Sequence, residues 1–382
     1  MSSSNGRPRL RDLGLGVGII PPGRWNAITD VPGLKVGQVT LIRGKGKLRP
    51  GHGPVRCGVT AIVPAPGDLF ASKLAAGVHI MNGYGKSVGL MQIAETGRLE
   101  TPILLTGTLN VWRVADALID WILERNPRIY SVSPTVLECS PHWADDVAGR
   151  HVGRREVFEA LRRAKSGPVE EGNVGGGTGL SSFGLKSGIG TSSRKLPERG
   201  GGWTVGTLVQ ANAGSIQYLS VGGLPFGREM VRSGRALPTH TALTAEECRR
   251  GAANLEAPDA GSLICVVATD APLSARQLTR LARRAALGLG RAGLASGHAS
   301  GDIVLAVSTA ERFRHVEKRG VISRREVPDA RLADLFNAAN ESAEEAYLNA
   351  ALRAETLEGV GGARREALPM DLLKRYLKER KL

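Results

Sequence analysis

Ser262-Leu263-Ile264-Cys265-Val266-Val267-Ala268-Thr269 constrains this chain more than any other stretch. It is an unbroken run of β-formers, entered from the polar Pro258-Asp259-Ala260-Gly261 and left through Asp270-Ala271-Pro272. Such a run reads as a loop feeding directly into a buried strand. A hydroxyl residue stands first on that strand, and glycine precedes it. Without a Cβ, Gly261 lets the peptide ahead of Ser262 take geometries that other residues resist. A hydroxyl beside a strained, unhindered carbonyl is what an intramolecular N→O acyl shift requires. Hydrolysis of the resulting ester would cut the chain between Gly261 and Ser262. Ser262 would then be a new N-terminus. Its hydroxyl is a nucleophile, and its own α-amine, of ordinary pKa about 7.7–8.0, is one available base. Taken alone, the same dipeptide is also an ordinary turn before a strand.

Other segments supply layers around this strand. Residues 59–63, 78–81, 103–105 and 129–132 are short β-rich runs, apolar on both faces, as in a covered sheet. Residues 203–211 form another strand. Residues 114–123 read as a helix with Val114, Ala117, Leu118, Trp121 and Ile122 on one face, and 152–165 as a second. Ser274 followed by Gln277 is a capping-box pattern, opening a helix with Leu278, Leu281, Ala282, Ala285 and Leu289 along one side. A strand is expected at 303–307. A long helix is expected over 329–358, stopped by Gly359. Residues 1–25 read as an arm lying on the surface or on a neighbouring subunit. Residues 223–261 read as an exposed linker carrying Glu246, Glu247, Arg249 and Arg250, and 359–382 as a basic, loosely docked tail.

Composition narrows the function classes. With 382 residues, 42% of them hydrophobic, the chain can bury a sizeable core, and a single domain is expected. The formal charge of +15 would suit an anionic partner, but the arginines are scattered, as on a basic solvated surface. Aromatic residues make up only 4%, which argues against a base-stacking nucleic-acid platform. Cys57, Cys139, Cys248 and Cys265 have no metal-site spacing, so no metal is expected, and free thiols point to a cytoplasmic protein. Residues 1–11 show no signal-peptide pattern, and no apolar run is long enough to span a membrane.

Several residues could carry chemistry. Asn212 ends a strand, where its carboxamide could donate to a developing oxyanion or simply serve a turn. Ser300 and Asp302 are two apart at the entry to a strand, so both side chains aim the same way if the backbone is extended; a capped turn is the alternative. His298 is a loop residue, and without a Gly-x-Ser-x-Gly elbow nothing supports a Ser-His-Asp triad. The Gly-rich stretch 172–195 lacks the strand–GxGxxG–helix context and a closing Gly-Lys-Ser/Thr, so it reads as backbone packed close to an active site. Lys186 lies within it, either at that site or on the surface.

Five blocks in order resemble the DmpA-type family of self-processing L-aminopeptidase/D-esterases and β-peptidyl aminopeptidases. They are Asn26-Ala27-Ile28-Thr29-Asp30-Val31-Pro32-Gly33-Leu34-Lys35-Val36-Gly37, Gly172-Asn173-Val174-Gly175-Gly176-Gly177-Thr178-Gly179, Val209-Gln210-Ala211-Asn212, Gly261-Ser262 with its strand, and Ser300-Gly301-Asp302. The resemblance implies a four-layer α/β/β/α sandwich like that of N-terminal nucleophile hydrolases, with different connectivity. It implies cleavage into 1–261 and 262–382, with both pieces staying together, and hydrolysis of small peptides, amides or esters. Ser262 would be the nucleophile, Ser300 and Asp302 would orient and activate it, and Asn212 would face the oxyanion. Glu138 would pair with the substrate amine, and Lys186 joins it as a substrate-site candidate. No cofactor, no membrane and no nucleic-acid partner are expected, and a homo-oligomer is.

The chain departs from that family at two places. Family members carry an acidic residue in the loop matching Asn82-Gly83-Tyr84-Gly85-Lys86-Ser87, where this chain has Lys86, and an aromatic residue where it has Ser140, with Trp143 close behind. Acyl transfer of the ornithine-acetyltransferase type and a non-catalytic basic binding protein are the alternatives.

Overall fold

A computed structural model describes residues 6–236 and 261–380. The expected linker falls largely on residues 237–260, which lie outside the described residues together with Cys248.

Two sheets form the middle of the molecule. The smaller has four strands, β1 (Lys35–Arg43), β2 (Val55–Val63), β5 (Ile103–Gly107) and β6 (Thr135–Cys139), in the order β1-β2-β5-β6. The larger has six, in the order β4-β3-β12-β11-β10-β9. These are β3 (Ser72–Gly83), β4 (Arg98–Leu99), β9 (Ile189–Lys195), β10 (Thr204–Asn212), β11 (Gly261–Thr269) and β12 (Ser300–Arg314). A short hairpin, β7 (Ser181–Ser182) and β8 (Leu185–Lys186), sits between them in sequence. The Ser262 run is the body of β11. It pairs antiparallel with β10 on one side and parallel with β12 on the other.

Strand alternation sorts the side chains into three apolar layers. Ile264, Val266, Leu208, Ile303 and Leu305 meet Ile62, Leu105 and Leu137 between the sheets. Leu263, Cys265, Val267, Val304 and Ala306 face the other way, onto helices α5 (Ala275–Ala292) and α6 (Ala333–Leu352). On the far side, Val59, Ala61 and Leu104 pack under α2 (Val111–Leu123) and α3 (Arg154–Arg163). The result is α/β/β/α, as expected. Helix α5 starts where the capping box places it: the Ser274 N–H donates to Gln277 Oε1 at 3.2 Å, and Gly293 in the left-handed region ends it.

Five expectations need correction. Residues 129–132 are not a strand: they lie between Pro127 and Pro134, Tyr130 is fully exposed, and β6 begins at Thr135 instead. Proline cannot donate to a ladder, so pairing starts only beyond it. The long helix stops at Leu352, short of Gly359. There the chain leaves the axis, and the Glu355 N–H is taken by the Asn173 side chain at 3.2 Å. The tail does not dock loosely. Helix α7 (Met370–Glu379) buries Leu372, Leu373, Tyr376 and Leu377, with Tyr376 edge-on to Phe226 at 5.3 Å. Phe226 itself, expected within the linker, is fully buried at the start of α4 (Phe226–Arg232).

The N-terminal arm is also part of the core. Leu10, Leu15 and Val17 are buried, and the arm's arginines enter a charged network beneath it. Arg194, wholly buried, pairs with Glu341 at 2.9 Å and Glu345 at 2.8 Å. Glu345 also receives Arg11 at 3.0 Å and the Asn26 amide at 2.5 Å. Carboxylates at such depth are tolerated because each oxygen has a charged or amide donor.

Candidate active site

Register brings four of the expected residues to one end of the six-stranded sheet. Asn212 on β10 is the direct partner of Ser262 on β11. On the other side, Gly261 pairs with Ser300 and Ser262 with Gly301. The apolar layers tell which way each side chain points. Ser262 and Asn212 share the parity of Ile264 and Leu208, so both face the inter-sheet layer. The intervening Gln210 confirms that face, because its amide donates to the Thr106 carbonyl of the smaller sheet at 3.1 Å. Ser300 and Asp302 share the parity of Val304, and therefore point to the opposite face, toward α5 and α6.

Gly261 is needed for space rather than for an unusual dihedral. A Cβ at that position would lie 2.8 Å from the Asn212 carbonyl oxygen and 3.1 Å from Ala213. The peptide ahead of Ser262 is thus pressed against β10, and only glycine fits without displacing backbone.

The orientation of Asn212 is fixed. Its Oδ1 accepts the Ser181 N–H at 3.0 Å, which turns its NH₂ toward the remaining space beside Ser262. Ser181 belongs to the hairpin that also holds Lys186. Lys186 is not a surface lysine: it is fully buried, and its ammonium donates to the carbonyls of Gly177 and Ser187. Burial alone pushes its pKa well down.

Ser300 and Asp302 form a buried pair, with the Ser300 hydroxyl donating to Asp302 Oδ1 at 2.7 Å. Burial pushes the Asp302 carboxyl above its ordinary pKa, while the Ser296 and Ser300 hydroxyls and the Leu263 N–H pull the other way. Because the pair lies across the sheet from the Ser262 hydroxyl, the part of Ser262 alongside it is backbone, the Gly261–Ser262 segment next to Ser300.

The remaining wall comes from the smaller sheet. Cys139 at the end of β6 directs its thiol at the carbonyls of Ser262, 3.4 Å, and Gln210, 3.5 Å, and burial pushes that thiol up to about 12. Glu138, one residue earlier, is buried, and its Oε1 accepts the Lys86 N–H at 2.9 Å. The loop bearing Lys86 crosses directly over Gly301, where a Cβ would lie 3.1 Å from the Gly85 Cα. Asn82, at the start of that loop, donates to the carbonyls of Gly297, His298 and Ser300 and so pins the entry to β12. Trp143 is buried beneath Arg365, at 5.3 Å.

Sequence reasoning missed Ser181 and Cys139 and gave Asn82 no role. Ser181 acts through its backbone N–H, which no residue type signals. Cys139 could have been noticed only as the neighbour of Glu138.

The profile of peptidase family S58 matches residues 26–365. The chain belongs to that family. It is 42% identical over 377 residues to the beta-peptidyl aminopeptidase BapA of Sphingosinicella microcystinivorans, covering 97% of this chain and 92% of the relative. A crystal structure of a Pyrococcus horikoshii protein superposes with a TM-score of 0.88 at 44% identity, covering 98% of this chain and 100% of the other. The L-aminopeptidase D-Ala-esterase/amidase of Ochrobactrum anthropi superposes with a TM-score of 0.85 at 35% identity, covering 98% and 99%. That structure is described as a prototype for the serine aminopeptidases and a new variant among the Ntn hydrolase fold. This S58 chain has the same fold, and it is a serine-type hydrolase of the aminopeptidase and amidase class. No helix among its described residues is long and apolar enough to cross a membrane.

Proposed function

We propose that the chain matures by cutting itself between Gly261 and Ser262 and then removes N-terminal residues from small peptides, amides or esters. The observation that carries this reading is the Asn212 carboxamide, turned by Ser181 toward the space beside its register partner Ser262.

In maturation the Ser262 hydroxyl attacks the Gly261 carbonyl carbon, the C–N bond breaks, and an ester forms. Water hydrolyses that ester, leaving a carboxylate on Gly261 and an amine on Ser262. In turnover the amine takes the hydroxyl proton as Oγ attacks the substrate carbonyl. Asn212 Nδ2 donates to the oxyanion, the leaving amine or alcohol collects the proton, and water releases the acyl group. Ser300 and Asp302 hold the Ser262 amine and stabilise it when protonated. Glu138 receives the substrate's own ammonium.

The two pieces, 1–261 and 262–382, stay together because two strand pairings cross the cut, β10 with β11 and β3 with β12. Buried free thiols at Cys57, Cys139 and Cys265 suit a reducing, cytoplasmic compartment. Intact mass with N-terminal sequencing tests the reading: fragments of about 28 and 13 kDa by length, the smaller beginning at Ser262, are expected. A fully active uncut chain would overturn it.

A further inference from the structure

The mouth of the site carries a pair of opposite charges built on one wall. Glu138 shares the parity of Val136 rather than that of Cys139, and at the end of β6 its Oε1 holds the backbone N–H of Lys86 at 2.9 Å and would lie 3.5 Å from a Cβ on Gly85. Glu138 is buried to 3% exposure, whereas Lys86 is exposed. The loop is held close to the nucleophile. Gly301 is the register partner of Ser262, and a Cβ there would meet the Gly85 Cα and the Tyr84 carbonyl at 3.1 Å each. Adjacent strands lie about 4.8 Å apart, so the Gly85 backbone is roughly two strand spacings from Ser262. The Lys86 stem reaches several ångströms further. Its ammonium rests 5.4 Å from the Tyr84 ring centroid, and Tyr84 faces His298 at 6.2 Å. Tyr84 and Lys86 thus form a rim in which the ammonium has an aromatic face and solvent beside it. The formal charge of +15 further raises the local concentration of anions.

We infer that Lys86 is a specificity-determining residue that selects substrates whose first residue carries a free carboxylate beside its free amine, as aspartyl, β-aspartyl and glutamyl peptides do. This rests on the proposed aminopeptidase reading. Glu138 binds the ammonium, and Lys86, displaced along the same wall, meets the carboxylate. The scissile carbonyl is left between Ser262 and Asn212. A neutral first residue leaves Lys86 without a partner but loses nothing else, so such substrates are turned over less efficiently rather than rejected.

The test compares kcat/KM of the processed enzyme on β-aspartyl and β-alanyl p-nitroanilides, which share the same backbone and leaving group. A preference of about tenfold or more for the β-aspartyl substrate is expected at low ionic strength, shrinking as salt screens the pair. Lys86→Met should remove the preference while leaving the β-alanyl rate within about twofold, and Lys86→Glu should invert it. A third arm compares β-alanyl-glycine with β-alanyl-glycinamide. A Lys86-dependent preference for the free dipeptide would place the carboxylate on the leaving group and overturn the inference. Equal rates on both anilides in wild type and Lys86→Met would also overturn it, while leaving the aminopeptidase reading intact. Inactivity of a processed enzyme on every substrate would count against both.

Discussion

Asn212 stands directly across from Ser262 on the neighbouring antiparallel strand, its carboxamide oxygen held by the Ser181 N–H. On the proposed mechanism the amide nitrogen is therefore the end presented to a carbonyl under attack. Asn212→Ala is expected to lower kcat by about 10²–10³ with little change in KM, the usual loss for one oxyanion donor. Maturation should slow as well, since self-cleavage passes through a similar tetrahedral species. Steady-state kinetics on fully processed mutant decides it; an unchanged kcat would reduce Asn212 to a strand-end residue.

Ser262→Ala should give a single chain of full length with no hydrolytic activity, because one hydroxyl serves both reactions. Ser262→Cys should still process, since a thiol is a competent nucleophile, but turn over at a different rate. A denaturing gel and a rate assay on the same preparations report both outcomes.

Gly261→Val should block or greatly slow processing in a folded chain. The added side chain would run into the Asn212 carbonyl, 2.8 Å from the Cβ, and push the scissile peptide away from its position. A gel time course after purification, beside a circular dichroism spectrum matching that of Ser262→Ala, checks this. Processing at the wild-type rate would show that the close approach is not required.

Asp302 ties activity to pH and stability in opposite senses. Burial raises its folded pKa. It therefore adds stability only while protonated: that contribution is present below its ordinary value of about 3.9 and is lost as pH rises through the folded value. Asp302→Asn, which cannot ionise, should gain stability relative to wild type as pH rises through that window. On the proposed mechanism it should also lower kcat and move the acidic limb of the kcat/KM profile, which the Ser262 amine sets, to lower pH, because the ammonium loses its carboxylate partner. Thermal melts and pH–rate profiles on the two proteins would expose either failure.

Glu345→Ala should destabilise the fold by about 3–5 kcal/mol, since it leaves the fully buried Arg194 short of a partner at 2.8 Å. Denaturant titration in the uncleaved Ser262→Ala background keeps one chain in the comparison. A change under about 1 kcal/mol would mean that Glu341 alone satisfies the guanidinium.

What the sequence determined by itself is local. The apolar run after Ser262 reads as a buried strand, and the Ser274–Gln277 pattern reads as a helix start, and both are what the structure has. Ser300 and Asp302, two apart on an extended backbone, had to share a face, and their 2.7 Å hydrogen bond follows from that. Where local patterns competed with chain termination, the reading failed. The alanine-rich helix stops at Leu352 because the chain turns off to meet Asn173, and residues 129–132 stay outside the sheet between two prolines.

Only the tertiary structure decided which faces meet. The parallel register of β11 and β12 puts Ser300 beside Gly261, and so places the Ser300–Asp302 pair across the sheet from the Ser262 hydroxyl. The partnership of Asn212 with Ser262 depends on pairing two strands distant in sequence. Glu138 and Cys139 arrive from a separate sheet. Ser181 contributes a backbone N–H, and Lys186, which the sequence left between site and surface, is enclosed where the glycine-rich turn folds over it. Residue types and spacings encode which way a side chain points along its own strand. They do not encode strand register or the stacking of one sheet on another, because those are fixed by the summed burial of many side chains across three apolar layers.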